Sequence, residues 1–171
     1  QAGFSYFTPS GFRNATRRDF QPIYYIPLTT TTLCHQMPMY ILHDSPFTML
    51  ADNPTIYEKE PECTKFIASI PTVFDEMKVV DGKMGEYIII ARRIGNDWYV
   101  AGQTNWTARE IEFTLDFIKN IADYHIEYAI DGINADEDAC DYIIKSESSV
   151  KNNWKIRMAS GGGFAMILKK K

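Results

Sequence analysis

Apolar and polar positions change period once along this chain. Between Thr29 and His43, the residues Leu33, Met37, Tyr40 and Ile41 recur at helical spacing and predict an amphipathic helix. Pro38 removes a backbone donor inside it and is expected to kink or divide it. Asn53 before Pro54, then Pro61 and the face Cys63, Phe66, Ile67 and Ile70, predict a broken helix that stops before Pro71. The short apolar run Ser45 to Asp52 fits a buried parallel strand running into a loop, and equally a helical turn capped by Ser45 with Pro46 in first position. Residues 1 to 28 scatter Phe4, Tyr6, Phe7, Phe12 and Phe20 among prolines and Gly11 without a steady period, and read as an extended, aromatic-rich loop.

From Val73 onward short apolar runs alternate with turn residues. Met77 to Val80, Tyr87 to Ala91 and Trp98 to Ala101 form a hairpin meander, with turn signals at Asp81-Gly82, Met84-Gly85 and Ile94 to Asp97. Further strands are expected at Glu110 to Leu115, His125 to Ile130, Asp141 to Lys145, Trp154 to Met158 and Phe164 to Leu168. About eight short strands with frequent turns indicate an antiparallel sandwich of roughly 100 residues. The stretch Ser69 to Arg93 is the seam between the helical and β patterns.

Composition adds exclusions more than assignments. The 171 residues are 45% hydrophobic and 23% charged, with a mean hydropathy of -0.26, as in globular proteins, and no run of about 18 apolar residues could span a membrane. A net charge of -4, with lysines adjacent only at Lys169 to Lys171, argues against phosphate-backbone binding. Cys34, Cys63 and Cys140 are odd in number and far apart, the pattern of buried thiols rather than a disulfide framework or zinc site. The chain starts at Gln1 without a basic, apolar leader, so further residues are expected upstream.

Several clusters invite a chemical reading, and each has a plainer one. Asp75 and Glu76 are adjacent, so in a strand they point to opposite faces and cannot converge on one bond. Glu58, Glu60 and Glu62 suit a charged helix start. The acidic stretch Asp131 to Asp141 suggests calcium but lacks the D-x-D-x-D-G order and closing Glu of a calcium loop. Ser160-Gly161-Gly162-Gly163 precedes no Gly-Lys-Ser/Thr and no helix, so it reads as a tight turn before the last strand. His35, His43 and His125 have no ligand spacing. Asn14-Ala15-Thr16 and Asn105-Trp106-Thr107 match the short glycosylation sequon. These residues form no catalytic constellation.

The phrases AGFSYFTPSGFRNATRRDF (2–20), CHQMPMYILHDSPFTMLAD (34–52), YEKEPECTKFIASIPTVFDEMKVVDGKMGEYIIIARR (57–93), WYVAGQTNWTARE (98–110), DGINADEDACDY (131–142) and SGGGFAMIL (160–168), in this order, resemble the C-terminal part of glycoside hydrolase family 97. The resemblance implies an α+β fragment of an enzyme that cleaves α-glucosides or α-galactosides with calcium at its site, in the periplasm or at the cell envelope. Residues 1–70 would be the end of a (β/α)8 catalytic barrel, with Ser45 to Asp52 as its last strand, and residues 71–171 the C-terminal antiparallel β-sandwich. The family's catalytic and calcium-binding carboxylates would precede Gln1, leaving no catalytic or metal residue here, no cofactor in this chain, and an isolated chain that is inactive. Barrel geometry makes Asp52 the candidate substrate-binding residue and brings the Phe4 to Phe12 loop near the pocket. An α-linked oligosaccharide would be the ligand of the intact enzyme, and residues 1–70 would pack on the β domain, on missing barrel elements or on another copy, or be mobile. The chain departs from the family pattern at Tyr6, where an Asp is usual, and at Asp44, Phe47, Phe74 and Met77, besides Pro38.

A reading of another class is a stand-alone sugar-binding or interaction module, with Trp98, Trp106 and Trp154 as a stacking platform. It requires those tryptophans to form a flat exposed row.

Overall fold

The structure is a computed structural model that describes residues 31–47, 54–59 and 61–171. Asp52, the Phe4 to Phe12 loop, Asn14, Glu60 and most of the Ser45 to Asp52 run lie outside the described residues. Ser45 to Phe47, the described part of that run, form no strand.

All eight strands expected from Val73 onward are present. They are β1 (Glu76–Lys83), β2 (Tyr87–Ile94), β3 (Asp97–Thr104), β4 (Arg109–Thr114), β5 (Tyr124–Asp131), β6 (Tyr142–Glu147), β7 (Asn153–Met158) and β8 (Gly163–Lys170). β1 runs through Asp81-Gly82, where the register shifts between Val79 and Asp81 as in a bulge, so the first turn falls at Met84-Gly85 instead. Six strands form one antiparallel sheet in the order β1-β2-β3-β8-β5-β6, and β4 pairs with β7 in a second, two-stranded sheet. Strict alternation sorts the side chains between two cores. Trp98, Val100, Ile126, Phe164, Met166 and Leu168 face β4 and β7, where Phe113 and Ile156 meet them. Tyr99, Ala101, Ala129, Ala165 and Ile167 face the opposite way. The central strands are thus buried on both faces, which is why YVA in β3 and FAMIL in β8 are unbroken apolar runs.

That second face is covered by helices. α1 (Leu33–Leu42) buries Leu33, Met37 and Ile41 against it, and α3 (Pro61–Ala68), which follows the short α2 (Pro54–Lys59), adds Cys63, Phe66 and Ile67. The helical part and the β part share a core. Ala101, Ala165 and Ala129 lie side by side across β3, β8 and β5, a row of small residues over which a helix can approach closely. Of the kink or division expected at Pro38, the division does not occur: the helix is one element from Leu33 to Leu42. Pro38 has no N–H for the Cys34 carbonyl, but that oxygen is directed at the backbone of β8, 2.6 Å from where a Cβ on Gly163 would stand. Packing of Met37 and Ile41, both fully buried, supplies what the missing hydrogen bond does not.

Candidate functional site

Thr32 caps α1, its hydroxyl accepting from the His35 amide at 3.2 Å. The Thr32 amide donates to Gly161 O at 3.0 Å and the Leu33 amide to Ala139 O at 2.8 Å. The start of the helix is thereby bound to the glycine turn and to the acidic stretch together. His35 Nδ1 stands 3.3 Å from Gly162 O, and burial lowers the pKa of its ring. Gln103 of β3 donates to His35 O at 2.6 Å.

Asp131 sits at the centre of this junction. It ends β5, is 7% exposed, and its Oδ2 accepts from the amides of Ala159 at 2.9 Å and Gly163 at 3.1 Å. Burial raises its carboxyl above the ordinary value, opposed by the Thr32 hydroxyl, the two amides and the charge of Arg157. Among the described residues Oδ1 has no hydrogen-bond partner. Three other acids of the stretch are likewise turned to the backbone. Asp141 accepts from the Asn134 amide at 2.7 Å and Asp138 from the Cys140 amide at 2.9 Å, while Asp136 takes the Ser160 amide at 3.0 Å and pairs with Arg157. Among the described residues no three His, Cys, Asp or Glu side chains gather as metal ligands.

The remaining candidates are placed as follows. Asp75 accepts from the Gly95 amide at 2.7 Å and Glu76 pairs with Arg93 at 2.9 Å, so the two carboxylates serve the β2–β3 hairpin. Glu58 and Glu62 are exposed. Asn105 uses its amide nitrogen on Gly85 O at 2.8 Å and its oxygen on the Thr107 amide at 3.0 Å, which makes it a turn residue. Cys34 and Cys63 are buried free thiols, and burial pushes Cys63 up to about 12. The tryptophans do not form a row. Trp98 is 8% exposed and packs edge-on against Phe117, Trp154 packs against Tyr128, and Trp106 alone of the three is open, at 62%. Its ring lies over Gly161, whose φ of +61° suits glycine. The glycine run reads correctly as a turn, yet its role as a helix-docking point escapes turn rules. Three glycines in succession before a fully apolar strand are the signal for close backbone approach.

Residues 73–169 match the family described as "Glycosyl-hydrolase 97 C-terminal, oligomerisation". Over 164 residues, 95% of this chain, the sequence is 45% identical to the retaining alpha-galactosidase of Bacteroides thetaiotaomicron, of which it spans 25%. A family 97 glycoside hydrolase of a Pseudoalteromonas species, solved with panose in one structure and acarbose in another, superposes with a TM-score of 0.77 at 32% identity. That superposition covers 82% of this chain and 23% of the solved one. A beta-arabinopyranosidase shares the fold with a TM-score of 0.67 at 23% identity.

Proposed function

Because this chain belongs to the glycosyl-hydrolase 97 family through its C-terminal domain, we propose that it is the C-terminal portion of a retaining α-galactosidase, holding the catalytic part in place rather than cleaving sugar itself. The 45% identity that runs along 95% of the chain carries the assignment to galactosides. Hydrolysis with retention needs two carboxylates about 5 to 5.5 Å apart across the scissile bond. Asp75, Glu76, Asp131 and Asp136 instead hold backbone amides or pair with arginines. In this reading α1 and α3 are the last helices of a (β/α)8 barrel, residues 71–171 are the accessory sandwich, and Asp52 approaches the sugar at the end of a barrel strand. Calcium and the catalytic carboxylates belong to the part of the enzyme beyond these 171 residues.

The purified chain should release no p-nitrophenol from p-nitrophenyl α-galactoside beyond a denatured control, and turnover by it would overturn this division of labour. The longer polypeptide encoded in the same reading frame, extended upstream of Gln1, should hydrolyse the α-galactoside faster than the α-glucoside. The opposite preference would remove the α-galactosidase assignment.

Self-association belongs to the same reading. β1 is an edge of the six-stranded sheet, and Met77 and Val79 on it are 56% and 59% exposed. Their cross-strand partners Arg92 and Ile90 place them on the face that α1 covers further along. An open edge with an apolar face is a template for a second copy. Sedimentation velocity should show a dimer that the double substitution Met77→Lys, Val79→Lys converts to monomer. A wild-type monomer at every accessible concentration would sink the assignment.

A further inference from the structure

On the face opposite the helices, at the end of the sandwich away from the start of α1, a cleft of about 550 Å³ opens between the β2–β3 hairpin and the connection from β4 to β5. Four cations line it, Lys78, Arg93, Lys119 and Lys170, against one carboxylate, Glu76. This is a concentration of positive charge in a chain whose net charge is -4. Glu76 is already engaged by Arg93 at 2.9 Å. Among the described residues no ion pair joins Lys78, Lys119 or Lys170 to an acid; Lys78 Nζ lies 5.2 Å from the centre of the Phe117 ring. Clefts lined by one sign of charge above low-dielectric walls focus the field and draw in counter-ions. Here the wall is the edge-to-face pair Trp98 and Phe117, with centroids 5.0 Å apart.

We propose that this cleft binds a short acidic oligosaccharide, one whose sugar units carry carboxylate or sulfate groups. Its volume lies within the roughly 300–1,000 Å³ of small-molecule sites and far exceeds what a single phosphate ion fills. Between the cations the lining includes Asn96 and Asn120, whose amides can donate to and accept from sugar hydroxyls. An acidic peptide offers carboxylates without such hydroxyls. The walls are also preorganised: Tyr124 donates to Asn96 O at 3.0 Å, tying β5 to the hairpin. The cleft opens away from α1 and α3, so whatever covers the helical side leaves it free. The inference rests on the charge and shape of this chain alone and is independent of where catalysis resides.

The test is calorimetric titration of the 171-residue chain with trigalacturonate, a sulfated galactose disaccharide, a neutral galactotriose, sodium phosphate and a hexaglutamate peptide. Saturable binding of either acidic saccharide is expected, weakening as salt is added, with the preferred one identifying the anion. Lys119→Glu and Lys170→Glu should each weaken it by about tenfold, as removal of an unscreened partner charge does, and Lys119→Gln by less. Lys145→Glu, on β6, should leave it unchanged. The proposal fails if neither acidic saccharide binds, if phosphate or hexaglutamate binds as tightly, if neutral galactotriose binds equally, or if the charge reversals have no effect.

Discussion

Replacing Asp131 with alanine is expected to destabilise the fold by about 3 kcal/mol, because it strands two buried amides at once. Those amides, of Ala159 and Gly163, bracket the glycine turn, and both are held by the same carboxylate oxygen. For a chain of this size the loss corresponds to a melting temperature about 10 °C lower. Asp131→Asn keeps an acceptor at the same place and should recover part of it. The charge itself has an opposite sign of effect. Burial holds the Asp131 carboxyl above its ordinary 3.8, so the folded chain binds that proton more tightly than the unfolded chain does. The stability this group contributes is complete below 3.8 and is lost as pH rises through the raised folded value. The non-titrating Asn variant feels none of this. Urea denaturation of both proteins across that window should therefore show the wild type losing ground to Asp131→Asn as pH increases. A gain instead would mean that Thr32, the amides and Arg157 stabilise the anion by more than burial disfavours it.

Gly163→Ala is expected to loosen α1 while leaving the sandwich folded. A Cβ there would stand 2.6 Å from Cys34 O and 2.6 Å from Gly102 O. Both are backbone atoms, one in the helix and one in the neighbouring strand, so no side-chain rotation relieves the overlap. Overpacking of this kind costs about 2 to 3 kcal/mol. The least-anchored partner moves first. Strand β8 is hydrogen-bonded on both sides, to β3 and to β5, whereas α1 is held by its face and its first turn. Amide exchange from Leu33 to Leu42 should accelerate in the variant while β3 and β8 stay protected. Equal acceleration in helix and sheet would show that the glycine supports the whole domain rather than the docking of α1.

These effects converge on a junction that the sequence only half shows. The turn at Ser160 to Gly163 is legible from its composition, and the spacing of the acidic stretch is not that of a calcium loop. Nothing in the local sequence says that Asp131 reaches across to a turn some thirty residues later, since a carboxylate at the end of a strand is ordinarily solvated. The same limit applies to the cleft. Lys78, Arg93, Lys119 and Lys170 are dispersed along the chain, and only the pairing of β1 with β2 and the placement of β8 bring their charges around one opening. Pro38 differs: propensity predicts a kink or a division, and with Met37 and Ile41 buried the helix runs undivided from Leu33 to Leu42.

By itself the sequence determined the eight strands, the apolar faces of the helices and the seam near Ser69 to Arg93, because alternation and periodicity are local consequences of which side of an element meets water; the family came from the resemblance of whole phrases. The tertiary structure decided which strands are neighbours, that β8 lies between β3 and β5, that helices rather than solvent cover the Ala101–Ala165–Ala129 row, and that Asp131 is a buried keystone. Those are properties of contacts between distant residues, and each depends on the energy of a whole arrangement that no window of neighbouring residues contains.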